Sequence, residues 1–178
     1  LHTVAMRQGA AHVEDEDFLD AWTPQVGLAL LTWVSSTSSH RIDLKRMVAH
    51  GRRMGSLVGT DITQAAGLIP YDVLAPEVDF TVSTSLKWMC GTPGAGILYV
   101  SPRLIRHCTP ELRGWFSQSN PFNWDISAFS YAPDIRRFDN GTPGSVAAIF
   151  SLPALEWHAG QDKAALLAHN RQLTALLI

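Results

Sequence analysis

Short apolar runs at residues 27–34, 56–60 and 78–83 alternate with a helical pattern, and each run gives way to polar residues at its end. Such alternation is satisfied by a mainly parallel sheet, because parallel strands need long crossovers and helices to cover their faces. An α/β fold of three-layer αβα type is therefore expected. In sheets of this kind ligands gather in the loops beyond the C-terminal strand ends.

The run Gly-Leu-Ala-Leu-Leu-Thr-Trp-Val at 27–34 reads as a buried strand, followed by the polar stretch 35–40 that ends in His40. Asp43 is placed to cap the next helix, in which Leu44, Met47, Val48 and Gly51 recur at helical spacing while Lys45, Arg46, Arg52 and Arg53 face water. Gly55 ends it. Residues 56–60 then deliver Asp61, and residues 78–83 deliver Thr84 and Lys87, to one rim of the sheet. The glycine-containing loop 91–96 is a turn beneath Lys87, lacking the spacing of a phosphate fingerprint, and residues 97–100 return as a strand.

Chemistry singles out the rim. A lysine amine can attack an aldehyde cofactor and later carry protons. A carboxylate facing a pyridine nitrogen keeps it protonated, so that the ring accepts the electron pair left when a bond at a substrate α-carbon breaks. Lys87 and Asp61 are the candidates for these roles, and the Gln64 amide can bond the phenolic oxygen of the same ring. The cofactor implied is pyridoxal 5'-phosphate. A plain ion pair between Asp61 and Lys87 is the competing reading.

The 178 residues, 46% hydrophobic with a formal charge of −2, suit one globular unit. Scattered Arg and Lys give no basic stripe, so nucleic acid is not an expected partner. The longest apolar stretch, 26–34, is too short to cross a bilayer and no basic-then-apolar leader precedes it, from which no membrane association and a cytoplasmic location are expected. Cys90 and Cys108 match no zinc spacing and are expected to be reduced and structural, with no metal site. The acidic residues Glu14, Asp15, Glu16 and Asp17 read as a solvated turn or helix start. Trp22, Trp33, Trp124 and Trp157 are expected in core or interface, and His40 as a cap or surface residue.

Residues 110–143 are irregular and aromatic, a pattern of functional loops, and should border the site. Helical patterns resume beyond Pro143 and break at Gly160. The chain has neither an initiating Met nor a terminating signal, and is expected to be part of a longer protein. Residues 1–150 would be the C-terminal portion of a large cofactor-binding domain, and 151–178 a helix leading toward a small domain.

The residues Asp61-x-x-Gln64-Ala65-Ala66-Gly67, Pro70-x-Asp72, Val78-Asp79-Phe80, Ser85-x-Lys87-Trp88, Gly94-x-Gly96-x-Leu98-Tyr99-Val100, Arg137-Phe138 and Gly141-Thr142-Pro143 together resemble the class V aminotransferases of fold-type I. That family holds kynureninases, cysteine desulfurases and aminotransferases. The resemblance implies that Lys87 carries the internal aldimine, Asp61 pairs with the pyridine nitrogen and Gln64 bonds the ring hydroxyl. It further implies that Thr84 and Trp115 contact the cofactor phosphate, and that Thr142 reaches the phosphate of a neighbouring subunit in a homodimer. Leu86 departs from the pattern, since the family often has His or Tyr there. The expected activity is transamination, or lyase or hydrolase chemistry such as kynurenine cleavage, on an amino-acid substrate. A non-catalytic scaffold without a complete cofactor site is the alternative.

Overall fold

The computed structural model describes residues 1–125 and 127–177. One four-stranded sheet organises it, made of β1 (Leu28–Thr32), β2 (Leu57–Asp61), β3 (Phe80–Thr84) and β4 (Gly96–Val100), adjacent in that order. The first three strands are parallel and β4 is antiparallel to β3. The expected mainly parallel α/β architecture is present, and the strand ends differ from the sequence reading by one or two residues.

Helix α1 (Asp15–Ala21) and helix α2 (Leu44–Met54) supply the helical layer. The local grammar of α2 is legible residue by residue. Asp43 accepts a hydrogen bond from the Arg46 N–H, Gly55 closes the helix at φ 79°, and the buried positions are Leu44, Met47, Val48 and Gly51. Close packing explains Gly51: a Cβ there would lie 2.4 Å from Val58 Cγ2 and 2.8 Å from Trp22 Cζ2. The core joins Trp22, Leu31, Ile42, Met47, Val58 and Val78. The Trp22 indole N–H donates to Ser56 Oγ at 2.8 Å, so the one polar atom of that ring is satisfied.

Asp79 fastens the strands from below. Its carboxylate is buried and accepts from Arg52 at 2.6 Å, from Arg103 and from the Val58 N–H at 2.8 Å. Arg103 lies on the short helix α3 (Pro102–Ile105), so one acid joins α2, β2, the entrance to β3 and α3.

The acidic stretch does begin a helix, but it is not simply solvated. Asp17 is buried, accepts from the Glu14 N–H at 3.0 Å and pairs with Arg7.

The opposite face of the sheet is open. Side chains alternate along a strand, and α2 packs on the Val58 side. Leu28, Leu30 and Leu98, on the other side, are 53%, 56% and 44% exposed. The strand at 27–34, expected to be buried, is therefore buried on one face only; the second helical layer is not supplied by the described residues.

Beyond α3 the chain is irregular, with 3-10 turns at Trp115–Ser117 and Ile135–Phe138. It ends in α4 (Ser145–Ala159), which runs unbroken through residue 150, and α5 (Lys163–Ala175). Trp22 and Trp33 lie in or against the core, whereas Trp124 and Trp157 are 73% and 54% exposed. Cys90 and Cys108 are free thiols, and Cys90 is exposed rather than packed. No helix among the described residues is long and apolar enough to cross a membrane.

Candidate active site

Asp61 is the last residue of β2 and Thr84 the last of β3, and the two parallel strands end side by side, with Asp61 opposite Val82. Register alone therefore brings the acid and the approach to the lysine to a common rim. Asp61 shares its strand face with Gly59, whose position a Cβ could not occupy because the Phe80 ring lies across it. That is the open face.

Thr63 ties the two strand ends together. Its N–H donates to Asp61 Oδ1 at 2.9 Å, and its Oγ1 accepts from the Thr84 N–H at 3.2 Å. The first bond is an Asx turn, which orients the carboxylate. In the sequence, the Asp-x-Thr spacing is the one signal for the role of Thr63.

Gln64 lies half-buried on the turn after Asp61. Ala65 and Ala66 fix this turn, both donating N–H to the Ile62 carbonyl at 2.8 Å while their methyl groups are buried. Gly67, at φ +92°, lets the turn approach the lysine segment: a Cβ there would lie 2.9 Å from the Trp88 carbonyl oxygen. The Gln64 turn and the Lys87 turn are thus in backbone contact.

Lys87 is exposed on a turn closed by Cys90 N–H donating to the Lys87 carbonyl at 3.0 Å. No hydrogen bond or ion pair engages its amine among the described residues, so the competing reading of an Asp61–Lys87 ion pair is not realised. Leu86 is likewise exposed.

A buried hydroxyl cluster holds this turn from behind. Ser85 Oγ faces the carbonyls of Thr92 and Ala95 at 3.1 and 3.0 Å, Thr92 N–H donates to Ser151 Oγ at 2.9 Å, and Thr92 Oγ1 donates to the Ala147 carbonyl at 2.7 Å. The turn expected beneath Lys87 therefore also anchors α4. Ser85 and Ser151 join across a long sequence separation, and nothing in the local pattern marks them as partners.

Trp115 and Thr142 form a second group. Trp115 is 44% exposed, with its ring set edge-on to Trp124 at 5.7 Å. Together with Arg113, Gln118 and Phe129 these rings line a cleft of about 390 Å³. Thr142 is exposed before α4. The two turns interlock where Gly114 abuts the Asn140 carbonyl, at a position with no room for a side chain. Arg137 donates to the carbonyls of Ala132, Ile105 and Cys108, so in this structure it serves the backbone of the irregular segment. Another cleft, of about 500 Å³, lies between Asp15, Trp33, Asp43, Tyr71 and Pro76. Neither cleft is lined by Asp61 or Lys87.

Comparison with known proteins gives this arrangement its context. The family model "Aminotransferase class-V" matches residues 3–178. A kynureninase of Deinococcus radiodurans is 29% identical over 92% of this chain and 40% of its own length. A kynureninase of Bacillus cereus is 33% identical over 79% of this chain and 33% of its own. The chain thus spans about two fifths or less of these relatives. Among solved structures, the cysteine desulfurase CsdA from Escherichia coli superposes with a TM-score of 0.74 at 24% identity, over 88% of this chain and 38% of that one. A lysine-to-alanine variant of the C-S lyase C-DES, with glycine covalently linked to its PLP cofactor, gives 0.72 at 24% identity, over 85% and 40%. These likenesses show the fold of the type I PLP enzymes. With the family model matching nearly every residue, the chain belongs to the class-V aminotransferase family.

Proposed function

We propose that this chain carries the lysine-bearing half of a pyridoxal-phosphate site in an enzyme acting on an amino acid, with kynurenine the first substrate to test. The observation that carries the reading is the junction at Thr63, which holds Asp61 and the approach to Lys87 on adjoining strand ends. The donor set suits the cofactor: an amine without a partner, a carboxylate oriented through one oxygen only, an amide on the adjoining turn, and a hydroxyl at Thr84.

In this reading the Lys87 amine would hold the cofactor aldehyde and would carry the proton at the substrate α-carbon. Asp61 would hold a proton on the ring nitrogen, Gln64 would orient the ring through its phenolic oxygen, and Thr84 would bind phosphate, as would Trp115, which lies in a separate cleft of this structure. Bound there, the cofactor supplies an electron sink for bond cleavage at the α-carbon. The kynureninase relatives favour hydrolytic cleavage between Cβ and Cγ over transamination. Thr142 would serve the site of a second copy. Its exposure, beside the exposed Val146, Ile149 and Phe150 of α4, supports that placement in a homodimer.

Cofactor titration tests the reading. A visible absorption band should appear with pyridoxal 5'-phosphate, and borohydride trapping with peptide mapping should place the pyridoxyl mass on Lys87 rather than on Lys45 or Lys163, the other lysines. Absence of the band, or its persistence in Lys87→Ala, would leave the scaffold reading in its place.

A further inference from the structure

We propose that His12, Glu14 and His40 form a site for a divalent transition-metal cation of the zinc type, which clamps the segment before α1 onto the loop that follows β1. His40 is distant in sequence from His12 and Glu14, and the docking of α1 against α2 brings it to them. Asp15 Oδ2 accepts from the Asp43 N–H at 2.9 Å, and Arg46 pairs with Glu16 at 2.6 Å. These contacts fix the start of α1 beside the entrance to α2, where His40 arrives from the other side.

One donor atom from each of His12, Glu14 and His40 lies within 4.8 Å of the other two. His12 Nε2 is 3.2 Å from Glu14 Oε1, and His40 Nε2 is 3.7 Å from Asp15 Oδ1. Zinc binds nitrogen and oxygen ligands at about 2.0–2.2 Å, which places tetrahedral ligands roughly 3.4 Å from one another. The observed separations bracket that value, and the widest pair must close by little more than an ångström.

The polar bookkeeping points the same way. His40 Nε2 and Asp15 Oδ1 are buried and have no hydrogen-bond partner. Leaving both unmet is costly, and they face each other across a gap too wide for a good hydrogen bond. The His12 and His40 rings stack at 3.8 Å with planes 13° apart, so one ring must turn about its side-chain bonds for both nitrogens to point at a shared ion. With Glu14 and Asp15 alongside, the group offers two nitrogens and two carboxylates to a cation. Mixed nitrogen and oxygen donors select zinc and its neighbours over magnesium or calcium, which favour oxygen alone. His12, Glu14 and His40 supply three ligands, and Asp15 Oδ1 lies 3.7 Å from His40 Nε2.

The test is calorimetric titration of metal-free protein with zinc chloride, without pyridoxal phosphate, so that its outcome is independent of the proposed cofactor site. One equivalent should bind. His12→Ala and His40→Ala should each weaken binding by at least about tenfold, in line with loss of a ligand. Cys90→Ser and Cys108→Ser should leave it unchanged, and magnesium should not compete. Imidazole NMR on the unaltered protein provides a readout that no variant's misfolding can obscure: zinc should move the signals of two of the seven histidines. Absence of stoichiometric binding, binding retained in both histidine variants, or binding lost with either cysteine would overturn the proposal.

Discussion

Gly67 and Trp88 touch through their backbones, so closely that a methyl group on Gly67 would sit 2.9 Å from the Trp88 carbonyl oxygen and 3.0 Å from the Met89 nitrogen. The glycine also has φ +92°, where a side chain is strained. Gly67→Ala should therefore cost about 1–3 kcal/mol and push the Lys87 turn away from the Gln64 turn. Urea denaturation should show the loss of stability. Titration with pyridoxal 5'-phosphate should show weaker binding than the stability loss alone explains.

Thr63→Val keeps the N–H that orients Asp61 but removes the oxygen that accepts from the Thr84 N–H. A single hydrogen bond of this kind is worth about 1 kcal/mol. The expected result is a modest fall in stability together with a slower single-turnover rate with amino-acid substrate. An unchanged rate would show that Thr63 does not position the site.

Asp79→Ala should be among the most destabilising single changes, at about 3–5 kcal/mol. It leaves Arg52 and Arg103 without their shared carboxylate and the buried Val58 N–H without an acceptor. Partial exposure of both arginines places the cost toward the lower end. Thermal unfolding followed by circular dichroism measures it.

Gly51→Ala tests the packing of α2 on the sheet. Alanine is the better helix former, yet its methyl group would meet Val58 and Trp22 well inside contact distance. Overpacking of about 1–3 kcal/mol should win, so the melting temperature should fall despite the gain in propensity.

Glu16 titrates below its ordinary value of 4.5, chiefly because the Arg46 guanidinium hydrogen-bonds the ionised carboxylate. A carboxyl lowered by folding stabilises the folded state above its unfolded pKa, and that contribution fades as pH falls through the folded value. Carbon-13 NMR titration should place the Glu16 midpoint below 4.5, and Arg46→Ala should return it toward that value. Full exposure of the pair makes the shift sensitive to salt.

The sequence spoke most clearly where structure is local. Asp43, Gly55 and the buried positions of α2 follow from capping and from the 3.6-residue period, both written in consecutive residues. The C-terminal ends of β2 and β3, at Asp61 and Thr84, were legible to within one residue from the apolar runs that precede them. What escaped was what depends on distant partners: the Ser85–Thr92–Ser151 cluster, the four-way role of Asp79 and the meeting of His12 with His40. Single hydroxyls and acids carry no period that would reveal such a neighbour. Leu28 and Leu30 misled for a different reason, because an apolar run records which residues favour burial but not whether a covering layer is at hand.

The bare sheet face sets the medium in which Asp61 acts. The attraction between a carboxylate and a cationic ring scales inversely with the effective dielectric constant, and is about fourfold stronger at a value of 20 than in bulk water. Any apolar layer laid over Leu28, Leu30 and Leu98 would thus do more than hide hydrocarbon: by drying the ground beside Asp61 it would tighten the hold on a protonated heterocycle that the proposed function gives that residue.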